Sequence, residues 1–277
     1  MRIDSHQHYW NPDLISYPWM PPAPNPLRRN YLPADLEPTL TQNNFDGSVV
    51  VQAAQVPEEA TWLLNLANQH KSILGIVAWV DLQDPNVGKV LDQLQKHPKF
   101  VGVRHLVHDE PDVQWMLQPA VIRGLKELES RKVPYDLLLR PSHLPYIPAL
   151  IEKLPDLPMV VDHIAKPYIK EAVFDGWAQD MERIAKHPKL FCKVSGMITE
   201  AEPKSWKAEQ LTPYVQHVLK LFGFDRLMFG SDWPVCTLAG TWKEVLAAFT
   251  QALGPQDANE RAKILGSTAA RFYGLKI

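Results

Sequence analysis

Cysteine is scarce: two residues, Cys192 and Cys236, in a chain of 277. They form neither a CxxC pair nor a disulfide framework, so a disulfide-stapled scaffold is excluded and a reducing, cytoplasmic setting is expected. Long apolar runs are missing as well. No stretch approaches 18 uninterrupted apolar residues, so no membrane-spanning helix is expected. The opening Met1-Arg2-Ile3-Asp4-Ser5-His6 lacks the apolar centre of a secretory signal. Nor does charge of one sign accumulate. With 29 Lys and Arg against 31 Asp and Glu, the formal net charge is -2 and no basic stripe is present, so nucleic acid is not an expected partner. The absence of a Gly-x-Gly-x-x-Gly or P-loop pattern removes the usual support for nucleotide chemistry.

What the chain does have is a steady rhythm. Apolar runs fall at 2–8, 47–52, 73–80, 100–107, 135–140, 159–163, 190–195 and 226–232. Most are rich in Val, Ile, Leu and Phe without polar alternation, the pattern of strands buried on both faces of a parallel sheet. Amphipathic stretches such as 58–70, 86–97, 120–131 and 177–187 lie between them. Alternating strands and helices predict βαβ units. Eight units predict a single (β/α)8 barrel domain over 1–277, a fold of about 250 residues, with an open doubly wound sheet as the alternative. The segments Lys96-His97-Pro98-Lys99 and Lys186-His187-Pro188-Lys189 end helices with basic residues and a proline. They place His97 and His187 at strand starts, the barrel's stability face.

Proline is abundant at 25 residues, and Pro18, Pro21, Pro22, Pro24, Pro26 and Pro33 crowd into 12–38. That segment cannot be one continuous helix or a central strand. It predicts a long ordered loop after the first strand, packed down by Tyr17, Trp19, Met20 and Tyr31. On the catalytic face, such a loop makes a pocket wall, with Arg28 and Tyr31 toward the ligand.

Barrel active sites lie at the C-terminal strand ends. The runs end in His6-Gln7-His8, Gln52, Trp79, Arg104, Arg140, Asp162-His163 with Lys166 just beyond, Lys193 with Ser195, and Asp232. His6 and His8 are two apart on a strand and share a face, which makes them half of a divalent-metal site. His163 and Asp232 would complete it. Gln52, Trp79, Arg104 and Lys166 are candidate substrate contacts. Arg104 has an equal alternative as the partner of a buried carboxylate, and Lys166 as a solvated loop residue.

Asp4-Ser5-His6-Gln7-His8-Tyr9-Trp10, Asp162-His163-Ile164-Ala165-Lys166-Pro167 and Phe229-Gly230-Ser231-Asp232-Trp233-Pro234 resemble signatures of the second large branch of the amidohydrolase superfamily. The combination is most similar to its sugar-lactonase group, which includes L-fuconolactonases, L-rhamnonolactonases and pyrone-dicarboxylate lactonases. The resemblance implies a hydrolase that opens a small lactone. Asp232 would be general base, and His163, a divalent ion, or both would polarise the carbonyl. Two departures stand out. The fifth run ends in Leu139-Arg140-Pro141 rather than a histidine, with His143 out in the following loop, and the fourth carries no metal-bridging lysine. The resemblance therefore implies one ion, zinc first, weakly held or dispensable, rather than a binuclear pair. The alternatives are an acidic pyrone-type lactone, served by Arg28, Arg29, Arg104 and Arg140; a metal-dependent decarboxylase; and a non-catalytic sugar-binding barrel.

Overall fold

Each of the eight runs forms a strand in the computed structural model, which describes residues 1–276. The strands are β1 (Ile3–Gln7), β2 (Gly47–Val51), β3 (Ile73–Ala78), β4 (Phe100–His105), β5 (Tyr135–Leu137), β6 (Met159–Val161), β7 (Leu190–Val194) and β8 (Leu227–Phe229). They pair in chain order, and the pairings are parallel. A helix follows each: α1 (Pro33–Gln42), α2 (Pro57–Gln69), α3 (Val87–Leu94), α4 (Pro119–Arg131), α5 (Ile147–Lys153), α6 (Asp175–Ala185), α7 (Ala208–Phe222) and α8 (Trp242–Leu253). Two short helices, α9 (Ala258–Ala262) and α10 (Thr268–Tyr273), end the chain.

The sheet closes into a (β/α)8 barrel, which sets aside the open-sheet alternative. Closure is made by the residues just beyond β8. Asp232 N–H donates to the His6 carbonyl at 2.8 Å, His8 N–H donates to the Trp233 carbonyl at 2.7 Å, and Gln7 and Trp233 form a parallel bridge. The seam of the barrel and the candidate site are therefore one structure.

Local chemistry explains the helices. In α2, Pro57 occupies the first turn, where its missing N–H costs nothing, and Glu58 and Glu59 lie at the positive end of the dipole. Ala60, Leu63, Leu64 and Ala67, spaced three and four apart, turn its apolar face to the sheet. Thr241 and Glu244 form a capping box that starts α8. Pro33 begins α1 and Pro38 lies inside it, so the proline-rich loop ends earlier than the run of prolines suggests. Tyr17, Met20 and Tyr31 are buried in that loop. The indole N–H of Trp10 holds it from within, donating to the carbonyls of Leu27 and Arg29 at 3.1 Å each.

Strand alternation divides the core into two apolar regions. Most apolar side chains pack between sheet and helices. The second cluster fills the lower lumen: Ile3, Val49, Val51, Val77, Val101, Val160 and Met228, closed below by Ala269, Phe272 and Tyr273 of α10. Above it the lumen turns charged, with Asp136, Asp162, Lys193, Arg104 and His6 all buried. Cys192 and Cys236 are buried free thiols. Among the described residues no helix is long and apolar enough to cross a membrane.

Candidate active site

His6 and His8 rise from the end of β1 into the barrel mouth and meet Asp232 there. His8 Nε2 lies 3.3 Å and His6 Nε2 3.8 Å from Asp232 Oδ1. On its other side His8 Nδ1 sits 2.7 Å from the Val51 carbonyl, which only an N–H can satisfy. Asp4 braces this corner. Its Oδ1 accepts from Ser231 N–H at 2.8 Å and its Oδ2 from the Trp242 indole at 2.8 Å.

The extended runs overshoot here. β6 stops at Val161 and β8 at Phe229, and the site residues beyond them adopt left-handed backbone: His163 (φ 54), Ile164 (φ 47), Ala165 (φ 60) and Lys166 (φ 49), with Asp232 at φ 56. Such conformations cost of the order of 1–3 kcal/mol each for non-glycine residues and concentrate where function over-determines the geometry. The turn swings His163 back over the lumen, with Nδ1 2.8 Å from Ser195 Oγ and Nε2 3.8 Å from Asp232 Oδ1. Gly196 makes room for it. A Cβ at that position would lie 2.6 Å from His163 Nδ1 and 3.1 Å from Asp232 Oδ2.

Electrostatics follow from this crowding. Burial opposes ionisation of Asp232, yet the imidazoles of His163, His8 and His6 around it outweigh burial and hold the carboxyl well below the usual carboxylate range. Burial lowers His163 to about 4 against the pull of Asp232, so its ring is neutral at pH 7. His6 is pushed well down, first by burial and only partly restored by Asp162.

Beneath these residues lies a layer of buried ions. Arg104 NH1 is 3.2 Å from both His6 Nε2 and Asp162 Oδ2, and its NH2 donates to the Gln52 carbonyl. Lys193 Nζ contacts Asp136 Oδ2 at 2.5 Å, Asp162 Oδ1 at 3.0 Å and His6 Nδ1 at 3.1 Å. Tyr273 of α10 donates to Asp136 Oδ2 at 2.8 Å. Burial raises Asp136 to about 6, Lys193 working against it. Asp136, Lys193 and Tyr273 have no expected role from their sequence positions. A lone Asp in β5 and a lone Lys in β7, each inside an otherwise apolar run, were the available signal; Tyr273 offered none.

A cavity of about 250 Å³ opens above, and its polar lining residues are His8, Arg104, His108, Asp109, His163, Lys166 and Asp232. Its apolar lining residues are Trp19, Ala53, Leu106, Leu138 and Val235. Of the expected substrate contacts, Arg104 and Lys166 line it, Lys166 while paired with Glu200 at 2.6 Å. The other four do not. Gln52 holds the Arg104 guanidinium from behind. Trp79 donates to His105 Nδ1 at 3.1 Å, and that ring stacks on Trp115 at 4.0 Å, away from the mouth. Arg28 spends its donors on the Pro21 and Met20 carbonyls within the loop. Tyr31 donates to Pro26 and packs edge-on against Trp10 and Trp233. The loop's contribution to the wall is Trp19, its indole N–H fixed on the Ala53 carbonyl at 2.7 Å.

His6, His8 and Asp232 form one group able to hold a metal ion; His6, Asp162 and His163 form a second that overlaps it. His163 falls in the second group, although its Nε2 lies 3.8 Å from Asp232 Oδ1, the same distance as His6 Nε2. The donor chemistry of the first group fits an ion. With Nδ1–H committed to Val51, Nε2 of His8 faces an Asp232 oxygen at 3.3 Å, and that gap takes either a proton on Nε2 or a cation. Two imidazoles and a carboxylate suit zinc. His143, the histidine nearest β5, accepts from Arg140 N–H and turns away from the cavity lining.

The chain is 35% identical over 279 residues to an L-fucono-1,5-lactonase of Burkholderia ambifaria, covering 98% of this chain and 95% of that protein. It is 26% identical over 199 residues to an L-rhamnono-gamma-lactonase of Scheffersomyces stipitis, covering 63% of this chain and 59% of that protein. An amidohydrolase of Burkholderia multivorans, solved in one crystal form with bound HEPES and in another with bound zinc, superposes over 100% of both chains at 34% identity, with TM-scores of 0.93 and 0.92. The amidohydrolase family profile matches residues 3–275, and the chain belongs to that family.

Proposed function

We propose that this protein hydrolyses the ester bond of a small sugar lactone, an aldonolactone of the L-fucono-1,5-lactone type, in the cytoplasm. The observation that carries the reading is Asp232 crowded by the rings of His6, His8 and His163 on the lining of a cavity that mixes polar and apolar side chains. A sugar lactone offers hydroxyls and a carbonyl to the polar residues and ring C–H groups to the apolar ones. Full-length similarity to an L-fucono-1,5-lactonase supports the same substrate class.

In the reaction, Asp232 takes a proton from a water molecule, whose oxygen adds to the lactone carbonyl. Negative charge develops on the carbonyl oxygen. Neutral His163 answers it with Nε2–H when Ser195 Oγ–H donates to Nδ1, and Arg104 contributes a fixed positive charge at the cavity edge. The ring C–O bond then breaks, and the departing alkoxide recovers the proton from Asp232, leaving the open hydroxy acid. His6, His8 and Asp232 would hold a divalent ion, which supplies Lewis-acid polarisation and a more acidic water when bound. Trp19 presents its ring to the substrate's C–H face, and His108 with Asp109 faces its hydroxyls.

An acidic pyrone would require several arginines converging on its carboxylates. Arg28 and Arg29 are occupied within the proline-rich loop, and Arg140 is exposed. Arg104 and Lys166 are the Arg and Lys residues on the cavity lining, which favours the neutral sugar. The test is a panel of aldono-1,4- and 1,5-lactones and a pyrone dicarboxylate, followed by acid release at neutral pH over the spontaneous rate. A sugar lactone as best substrate is expected; turnover of the pyrone alone, or of no lactone, would overturn the reading.

A further inference from the structure

We propose that Arg104 and a divalent cation compete for the same lone pair on His6, so that Arg104 sets how weakly the His6–His8–Asp232 group holds its ion. Arg104 is 3% exposed, and a guanidinium carries donors only. Its NH1 points at His6 Nε2 across 3.2 Å, so Nε2 is the acceptor there. The other ring nitrogen, Nδ1, lies 3.1 Å from Lys193 Nζ and 3.3 Å from Asp162 Oδ1, apart from the Arg104 contact. An ion in the group needs that same Nε2 lone pair. One lone pair cannot serve both.

The exchange is built to be small. Arg104 NH1 is shared between His6 Nε2 and Asp162 Oδ2, both at 3.2 Å, while NH2 is held by the Gln52 carbonyl and by Gln52 Oε1 at 3.3 Å. On ion entry the guanidinium gives up one contact and keeps three. It stays beside the ion as a fixed like charge in a buried site, where repulsion is poorly screened. On ion release it returns to His6. The mouth thus carries a positive group next to Asp232 in both states. Lys193 takes no part in the exchange, because it lies against Nδ1 and is held from below by Asp136.

The competition is independent of the lactone reading, because its test reads metal and not turnover. Zinc dissociation constants are measured on the full-length protein by competition with a chromophoric chelator, for the native chain, Arg104→Met and Arg104→Gln, with His8→Asn as the site control. Native crystals are soaked in millimolar zinc chloride in parallel. Removing the competing charge is expected to tighten zinc by about tenfold or more in whichever folded Arg104 variant is used. His8→Asn should abolish the binding. In the soaked native crystal, Arg104 NH1 should have left hydrogen-bond distance of His6 Nε2. Equal or weaker zinc binding in a folded Arg104 variant would overturn the proposal. So would an ion on His6 Nε2 with the Arg104 contact still intact, or no zinc in either the native or the variant protein.

Discussion

The Nε2 of His8 faces Oδ1 of Asp232 across 3.3 Å while the opposite nitrogen of the same ring is tied to the Val51 carbonyl. That single relationship fixes Nδ1 as the donor to Val51 and leaves the gap to the carboxylate for a proton on Nε2 or a bound cation. It also depends on the barrel seam, since Asp232 N–H and the His6 carbonyl close β8 onto β1. Site and fold stand or fall together there.

Trp19 and Trp79 should part company. Trp19 lines the cavity, whereas Trp79 braces His105 beneath the β4 loop. Trp19→Ala removes the apolar platform and should raise KM by about tenfold with kcat changed far less, a loss of about 1.4 kcal/mol in binding. Trp79→Phe should leave KM unaltered and lower the melting temperature. Steady-state kinetics on the best lactone, with thermal melts, decides between them.

Glu59 makes the protein more stable in mild acid. Burial raises its carboxyl to about 7 from an ordinary 4.5, despite hydrogen bonds from the N–H groups of Ala54 and Ala53. Because the folded value lies above the unfolded one, the native chain binds an extra proton between those limits, and this group's contribution falls as pH rises through the window. The loss is complete above about pH 7 and is of the order of 3 kcal/mol at most. Because His6 and His163, held below the ordinary imidazole value, gain stability over the same range, the effect of Glu59 is read from chemical denaturation of the native protein against Glu59→Gln at pH 5.5 and 8. Glu59→Gln, which keeps an oxygen for the two N–H groups, should gain stability relative to the native protein on going from pH 5.5 to 8.

Lys193 holds three buried acceptors at once, and its removal should be felt throughout the chain. Lys193→Met leaves Asp136 buried without its cation, and breaking such a pair costs about 3–5 kcal/mol. Asp136→Leu added to Lys193→Met should recover part of the stability, because both ends of that pair are then apolar. A double-mutant cycle in urea measures the coupling; additive losses would show the pair to be unimportant.

The fold was legible because a two-sided parallel sheet leaves an unmistakable mark: all eight runs begin at or within one residue of a strand. Their ends were less legible. His163 and Asp232 are buried and follow apolar strands, so they read as strand, yet their left-handed backbone places them in turns. The convergence of His6, His8 and Asp232 followed from the two-residue period of β1 and from barrel closure. Which aromatic faces the mouth did not follow. Beyond Ala78 the strand period lapses, so the position of Trp79 carried no directional information, and Trp19 lies on a loop with no period at all. The ionic layer was hidden for another reason: Asp136 and Lys193 make sense only as partners, and 57 residues separate them.

The histidines set one barrel face against the other. His97 and His187 lie where α3 and α6 turn into β4 and β7, His97 bonded to Asn68 at 2.9 Å, far from the mouth. His97→Asn and His187→Asn should retain near-native turnover. His163→Asn, which removes the ring facing Asp232, should lower kcat by about 10²-fold or more. Loss of activity in His97→Asn with retention in His163→Asn would put the catalytic chemistry on the wrong end of the barrel.

The most direct measurement is kcat for Asp232→Asn on the best lactone, with zinc content and thermal melt recorded on the same sample. The substitution keeps the shape of the side chain and removes its charge and its capacity to accept a proton. With the fold intact, turnover should fall by at least about 10²-fold, the lower range for loss of a general base. Restoring zinc to the native content should not recover it. A folded Asp232→Asn protein that turns over lactone at the native rate would contradict the mechanism at its centre.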